Sequence, residues 1–308
     1  MYYQSKPMKG ITMQQLLNLD VPTDYAFAKI SSSAMLVDVS MSVWTARKLD
    51  KKVSEEVDSA KSTKTRAGNY HKNLLAGSSK LDDISKVATA VRNWHYKQTS
   101  PWSDSGTRLL PATLFIDYKS ELGQYEKMFY DSVESFLVEY DNLVTKSAFQ
   151  LGDLFNREDY PHVDKVRSKF GFNYSFSPVP ESGDFRVDIG EQGMAELRGQ
   201  YESAYKSRIE SSMKDVWDRV YTTLSHMSSK LDFTEGKQKL FDSMVDNTIE
   251  LTGLLKHLNI TGDQRLENLR KDLESAMHGV SCDDLRDSDA LREHTKSKVD
   301  EMLSKFAF

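Results

Sequence analysis

The feature that most constrains the fold is a run of apolar residues over 194–231, which recur every three or four positions. This spacing predicts one amphipathic α-helix, because residues three and four apart share a face of a helix. At 1.5 Å per residue the helix is on the order of 60 Å long, and it needs packing partners to be stable in water. Residues 122–144 and 240–258 repeat the same spacing. We therefore expect a mainly α protein built on an elongated antiparallel helical bundle or coiled-coil stalk.

A smaller β component is indicated where apolar and polar residues alternate along the chain. Residues 35–43 alternate in this way and predict one N-terminal strand. Residues 172–176 and 185–189 alternate as well, and the segment between them is rich in Pro and Gly. Two alternating segments joined by turn residues indicate a β-hairpin, here at 172–189 and inserted between two long helices.

We expect the chain to divide into three consecutive regions. Residues 1–110 hold the N-terminal strand and a helical part, and residues 111–260 hold the long helices with the inserted hairpin. Residues 261–308 contain two shorter periodic runs, which predict a C-terminal pair of helices. Only 15 Gly and 7 Pro occur in 308 residues, which favours helices over a loop-rich all-β fold.

Composition and charge exclude several classes of protein. The formal net charge is -5, unlike that of a protein whose whole surface is basic and binds nucleic acid. The single cysteine, Cys282, cannot form an intrachain disulfide, which excludes disulfide-rich secreted scaffolds and cysteine-rich zinc modules. No segment approaches the roughly 18 apolar residues of a membrane-spanning helix, and no signal-peptide core is present. We expect a cytoplasmic protein that does not contact membranes.

No motif for a cofactor or for catalysis is present in the sequence. Gly236-Lys237 lacks the preceding glycine of a phosphate-binding loop. No dinucleotide fingerprint, nucleophile elbow or zinc-protease motif occurs. We therefore expect no cofactor and no enzymatic activity.

One acidic segment is a weak candidate for a metal site, because metal-dependent hydrolases gather carboxylates and histidines. Its candidate ligands are Asp153, Glu158, Asp159 and His162. The alternative interpretation is a polar connection between helices, in which Asp159 is an N-cap and Pro161 lies in the first turn of the next helix.

A basic and aromatic segment suggests contact with nucleic acid. Residues 45–108 hold 13 Lys and Arg against 7 Asp and Glu, and aromatic residues lie among them. Lys and Arg neutralise phosphates, while aromatic rings stack on bases. The candidate contact residues are Arg92, Trp94, His95, Lys97 and Arg108. The alternative is a solvated helix face beside an aromatic core.

The predicted hairpin is a candidate for docking a protein partner. Its polar face and its turn hold Ser177, Glu181, Asp184, Arg186 and Asp188. An exposed strand edge can pair with a strand of another protein. The alternative is a hairpin without a binding role.

Two short motifs carry a resemblance to a known family. The first is Ser42-Val43-Trp44 with the following Arg47-Lys48-Leu49, and the second is 176–180 with 183–186. In this order, with a long helix on each side of the hairpin, the chain resembles a protein family of tailed bacteriophages and integrative elements. Members are often encoded near MoxR-type AAA+ ATPases and von Willebrand A-like proteins. The resemblance implies an adaptor or accessory factor for an ATP-driven remodelling system in an infected or host bacterial cell. It implies no catalytic residues.

Three hypotheses for the function follow. The first is a phage-like, non-enzymatic interaction protein, with a MoxR-type AAA+ ATPase as the protein partner that the resemblance implies. The second is a DNA-binding protein of phage replication or recombination, which the basic segment suggests. The third is a virion or assembly component that self-associates along its helices.

Overall fold

The computed structural model describes residues 30–181, 190–233 and 239–306. As the sequence predicts, the fold is mainly α-helical with a small β component. The helices of the described residues are α1 (Lys51–Ala60), α2 (Lys80–Gln98), α3 (Phe115–Leu151), α4 (Val163–Arg167), α5 (Gly190–Leu231), α6 (Asp242–Leu258), α7 (Gln264–Met277), α8 (Cys282–Asp287) and α9 (Asp289–Ser304). The strands are β1 (Ala34–Ser42), β2 (Arg47–Leu49), β3 (His71–Asn73), β4 (Ser100–Pro101), β5 (Arg108–Pro111) and β6 (Gly171–Pro178).

The chain folds into two compact units, each built from separated segments. Among the described residues, the first unit holds 30–38, 98–115 and 176–306, and the second unit holds 39–97 and 116–175. The sequence suggested three consecutive regions with boundaries near 110 and 260 instead. Because α3 belongs to the second unit while α5 and α6 belong to the first, the three long periodic runs do not form one compact unit.

The strands form two antiparallel sheets. One has the order β4-β5-β1-β6, and the other pairs β2 with β3. The alternation at 35–43 is confirmed as β1, whose residues Ala34 to Val37 pair with Pro111 to Arg108 of β5. The first half of the predicted hairpin is β6, whereas 185–189 lie outside the described residues. The hairpin therefore stays a prediction.

The first unit has a core built around one face of α5. This helix packs against α6 and α9, and α7 packs against the same two helices. The buried residues of α5 follow the spacing seen in the sequence and are Tyr205, Ile209, Ser212, Met213, Val216, Val220, Leu224, Met227 and Leu231. The predicted C-terminal helices are α7 and α9. The short α8 between them begins with a capping box of Ser281 and Asp284.

A buried arginine closes the C-terminal end of α5. The last carbonyls of a helix have no partner within the helix and need donors from elsewhere. Arg292 of α9 supplies them, because its Nε donates to the carbonyl of Leu231 at 3.0 Å and its Nη2 donates to that of Lys230 at 2.7 Å. Its guanidinium also lies over the ring of Phe233, 5.4 Å from the centroid. This contact joins α9 to the end of α5.

The second unit has an aromatic core along the inner face of α3. The ring of Trp44 lies 6.4 Å from Phe136 and 6.0 Å from Tyr140, both in edge-to-face geometry. Phe170 contacts the same Phe136 at 5.7 Å, and Phe172 of β6 lies 5.7 Å from Phe129. Aromatic pairs at these separations add to the stability gained from burying their area.

Candidate interaction surfaces

Asp159 of the acidic segment joins an ion network around the buried Lys72. Lys72 of β3 is buried, and its Nζ lies 2.8 Å from Asp159 Oδ2 and 3.2 Å from Asp50 Oδ2. It also donates to the carbonyl of Leu154 at 2.8 Å. An ammonium group has three protons to donate, so these three acceptors satisfy it. Lys48 of β2 adds a fourth charge, with its Nζ 3.3 Å from Asp159 Oδ1.

The pKa values in this network move in the directions expected of a paired cluster. Burial acts to raise the pKa of Asp159, but hydrogen bonds from Lys72 and Lys48 outweigh it and the pKa is lowered. Burial acts to lower the pKa of Lys72, but its bonds to Asp159 and Asp50 outweigh burial and the pKa is raised. The pKa of Asp50 is lowered, first by the backbone N–H of Val53 and then by Lys72. All three groups are therefore held in their charged forms.

The four metal candidates do not converge on one site. Asp159 is engaged with lysines, whereas Asp153 and Glu158 are exposed. His162 Nδ1 lies 3.1 Å from Asp164 Oδ2, and both side chains are exposed. Within the described ranges, no group of three His, Cys, Asp or Glu residues is arranged to hold a metal ion. His162, not Asp159, is the N-cap of α4.

Of the five predicted nucleic-acid contacts, His95 is buried and Trp94 is partly buried. The ring of Trp94 stacks on Tyr118 of α3 with a centroid distance of 4.6 Å and lies 5.2 Å from Tyr125. His95 is only 3% exposed, and its Nδ1 lies 2.7 Å from the hydroxyl of Tyr118. These rings pack α2 against α3. This packing favours the alternative interpretation, an aromatic core beside a solvated helix face, while a role of these residues in binding nucleic acid stays a prediction.

The basic members of that predicted set are also separated. Arg92 and Lys97 are exposed on α2 in the second unit. Arg108 belongs to the first unit, where its Nε donates to Thr99 Oγ1 at 2.7 Å and its Nη2 donates to the Thr99 carbonyl at 2.9 Å. The five residues therefore do not form a single surface within either unit.

The turn that follows β6 is held to the first unit. Val179 is buried in the core of that unit, and the hydroxyl of Tyr201 donates to the carbonyl of Pro180. Glu181 accepts a hydrogen bond of 2.7 Å from the Ser31 hydroxyl, while Ser177 is exposed. The other docking candidates, Asp184, Arg186 and Asp188, lie outside the described residues. Their role stays a prediction.

A different surface is formed by residues 47–73, which we call the basic module. It consists of β2, α1, the loop 61–70 and β3. The module holds eight Lys and Arg against four Asp and Glu, although the whole chain has a net charge of -5. It lies entirely within the second unit.

The pairing of β2 with β3 separates the charges of the module into two faces. Lys48 is opposite Lys72, and both point toward Asp159. Because side chains alternate along a strand, Arg47 and Leu49 lie on the other face, opposite Asn73 and His71. All four of these residues are exposed. The ribbon therefore presents a basic and partly aromatic face to solvent.

Most of the positive charge on this module is not neutralised locally. Arg66 pairs with Glu55 and Asp58, and Lys48 and Lys72 pair with the acidic network. The remaining five basic residues are exposed and form no recorded ion pair with the described residues; they are Arg47, Lys51, Lys52, Lys61 and Lys64. Of the four carboxylates in the module, only Glu56 is also without a recorded partner there. The solvent-facing charge is therefore positive.

A pocket of about 370 Å³ lies between α1 and the loop 61–70. Val57, Lys61 and Tyr70 line it, and all three are exposed. Most of its accessible surface is carbon. The basic module thus combines exposed cations with an apolar pocket.

The outer side of α3 is a second surface, and it is apolar. Ile116, Val138 and Phe149 are 74%, 82% and 86% exposed. Val138 is two residues from the buried Phe136 and Tyr140, which puts it on the opposite side of the helix. Val138 and Phe149 are eleven residues apart, close to three full turns, so they share this outer side. Both side chains lie in solvent.

Comparisons with known proteins identify no relative. The chain matches no family model, no curated protein and no solved structure. In the parts of the chain that the structure describes, no helix is long and apolar enough to span a bilayer.

Sequence reasoning missed the basic module because its strands are only three residues long. Strands that short show no alternation, and 21 residues separate the end of β2 from the start of β3. The signal that was available is the run from Arg47 to Lys52, which has four basic residues out of six, followed by Tyr70-His71. The pairing register brings these two segments together.

Proposed function

We propose that this protein is a non-enzymatic nucleic-acid-binding protein and that the basic module contacts the phosphate backbone. The observation that carries this proposal is the set of five exposed cations on the module without recorded ion partners. The buried Lys72 pairs with Asp159 and Asp50, so this ion network stabilises the module without using its outer charges. A polyanion is the ligand that such a face attracts most strongly.

The physical basis is the release of counterions from nucleic acid. Each phosphate that a Lys or Arg neutralises sets a condensed cation free, so affinity falls as salt rises. The logarithm of affinity is expected to fall with the logarithm of salt by about 0.7 per contacted phosphate on a single strand. Arg47, Lys51 and Lys52 lie within six consecutive residues, and we expect each to contribute one such contact.

The experiment is a fluorescence anisotropy titration with a labelled 20-nucleotide DNA, repeated over a salt series. The test variant carries Lys51→Glu and Lys52→Glu. The matched control carries Lys206→Glu and Lys214→Glu, which reverse the same charge on exposed positions of α5 in the other unit. Both variants change the net charge of the chain equally, so any difference between them reports the position of the charge.

We expect wild type and the control to bind at low salt, with affinity that falls steeply as salt is added. The test variant is expected to bind at least about tenfold more weakly and with a salt slope smaller by about 1.4. Absence of binding at low salt contradicts the proposal. Equal losses in the two variants also contradict it, because they show a dependence on net charge alone.

A second candidate function is favoured by the outer side of α3. Val138 and Phe149 present exposed apolar side chains that favour binding of a protein partner. Burial of such apolar surface in an interface is energetically favourable. In this role the protein is an adaptor in the bacterial cytoplasm. Its partner is the MoxR-type AAA+ ATPase implied by the resemblance, or else a second copy of the chain.

This second candidate is tested by co-purification with a MoxR-type ATPase and by sedimentation of the protein alone. The test variant carries Val138→Asp and Phe149→Asp, and the control carries Thr89→Asp and Ala90→Asp at exposed positions of α2 in the same unit. If the protein is an adaptor, the ATPase co-purifies with the control variant but not with the test variant. If the wild-type protein is a monomer at high concentration and no ATPase co-purifies with it, this candidate function is contradicted.

A further inference from the structure

The basic module holds one tyrosine whose backbone is fixed while its side chain is exposed. The Tyr70 N–H donates to Ser54 Oγ at 2.9 Å, and the Tyr70 carbonyl accepts from the Asp50 N–H at 2.9 Å. Tyr70 as a whole is nevertheless 40% exposed. A residue whose backbone is already ordered has less conformational entropy to lose on binding than one in a mobile loop.

The loop that forms the wall of the adjacent pocket is also fixed. Asp58 Oδ1 accepts the Ala67 N–H at 3.2 Å, and its Oδ2 lies 3.1 Å from Arg66 Nε. The Asp58 carbonyl accepts the Thr63 N–H at 3.0 Å. The carboxylate of Asp58, although it lines the pocket, is therefore neutralised by Arg66. The pocket between Val57 and Tyr70 is a built feature of the module.

Three lysines are close in sequence to residues that form this pocket. Asp50, which bonds to the Tyr70 carbonyl, directly precedes Lys51 and Lys52 in the first turn of α1. Lys61 lines the pocket itself. The module thus combines positive charge with an exposed aromatic residue, a combination that proteins use to hold unpaired nucleotides.

We infer that the pocket beside Tyr70 receives one unpaired base and that the nucleic acid bound by the basic module is single-stranded. The inference rests on the proposed function and names its ligand class. The base stacks on the Tyr70 ring with Val57 beneath it, while Lys51, Lys52 and Lys61 contact the neighbouring phosphates. A paired base in a duplex is stacked on both sides and does not enter the pocket, so duplex DNA makes only the phosphate contacts.

The test compares a labelled 15-nucleotide oligo(dT) with a duplex of the same length at one salt concentration. Tyr70→Leu keeps an apolar side chain without an aromatic ring, and Tyr70→Phe keeps the ring without the hydroxyl. Tyr96→Leu is the control, since Tyr96 is an exposed tyrosine of α2 outside the module. Circular dichroism and thermal melting establish that each variant is folded.

We expect wild type to prefer the single strand. Tyr70→Leu is expected to weaken single-strand binding about five- to a hundredfold and to leave duplex binding nearly unchanged. Tyr70→Phe and the control are expected to bind like wild type. A 2-aminopurine base in the oligonucleotide is expected to lose fluorescence on binding to wild type and not to Tyr70→Leu.

The outcomes separate this inference from the proposed function. Salt-dependent binding that weakens in the Lys51 and Lys52 variant but shows no strand preference and no effect of Tyr70→Leu overturns the inference alone. Absence of any salt-dependent binding overturns both. A loss of single-strand affinity in Tyr70→Phe equal to that in Tyr70→Leu also overturns the inference, since stacking does not need the hydroxyl.

Discussion

Lys48 and Lys72 lie directly opposite each other across the β2–β3 pair, and both ammonium groups contact the carboxylate of Asp159. Like charges at opposite positions destabilise a pair of strands unless a counter-ion lies between them. Asp159 supplies that counter-ion from the segment that follows α3. The ion network thus joins the basic module to the rest of the second unit and leaves the outer face of the ribbon free for a ligand.

Removing this counter-ion is expected to destabilise the second unit. Asp159→Asn leaves Lys72 buried with one carboxylate partner and leaves Lys48 facing it. Breaking a buried ion pair from one side costs about 3 kcal/mol. Denaturant unfolding followed by circular dichroism measures the loss, and the exposed Asp153→Asn is the control, with a change below about 0.5 kcal/mol. Equal stability of the two variants shows that the network contributes nothing.

The same carboxylates are expected to make stability depend on acid pH. The pKa values of Asp159 and Asp50 are lowered in the folded protein, so the charged forms favour folding. Their contribution is complete above their unfolded pKa of about 4 and is lost as pH falls through the lowered folded values. Thermal melting at about pH 6 and about pH 3 is expected to show a smaller acid loss in Asp159→Asn than in wild type. Parallel curves for the two proteins contradict the assignment.

Trp94 is expected to act on stability and not on ligand binding. Its ring stacks on Tyr118, so Trp94→Ala removes packing between α2 and α3 and costs about 2 kcal/mol. Arg92→Ala, at an exposed position two residues away, is expected to change stability by less than about 0.5 kcal/mol. Chemical denaturation measures both. If a Trp94→Phe variant is folded but loses DNA affinity, the result contradicts this purely structural role. It then supports the nucleic-acid contact that the sequence predicts.

Arg292 is expected to stabilise the end of α5. Arg292→Leu keeps apolar volume but leaves the carbonyls of Leu231 and Lys230 without their donor, which costs about 2 kcal/mol. Hydrogen exchange in the last turn of α5 is expected to become faster in this variant. Glu293→Gln, at the exposed neighbouring position, is the control. Unchanged exchange in Arg292→Leu contradicts this role.

The long helices and β1 could be predicted because their burial follows a simple period. Met213, Val216, Val220 and Leu224 are spaced as one helix face requires, and all are buried in α5. The grouping of helices could not be predicted, because periodicity shows which side of a helix is buried and not what covers it. The α3 helix, for example, packs its Phe136 against Trp44.

The candidate surface was harder to predict, since the sequence does not show which charges are used internally. Asp159 belongs to the acidic segment and Trp94 to the basic and aromatic segment, yet Asp159 contacts lysines and Trp94 lies against Tyr118. Lys48 and Lys51 are three residues apart, but only Lys48 is paired with the acidic network. The pairing of β2 with β3 puts Lys48 opposite Lys72, and the sequence pattern does not specify the register of strands this short.

The most direct test of the account is to map where nucleic acid contacts the chain. An oligonucleotide that carries 5-bromodeoxyuridine is bound to the protein at low salt and irradiated, and the cross-linked peptides are identified by mass spectrometry. The account predicts adducts within residues 47–73, with Tyr70 or His71 as the principal site. Adducts confined to the rest of the chain, or complete absence of adducts from a bound complex, contradict it.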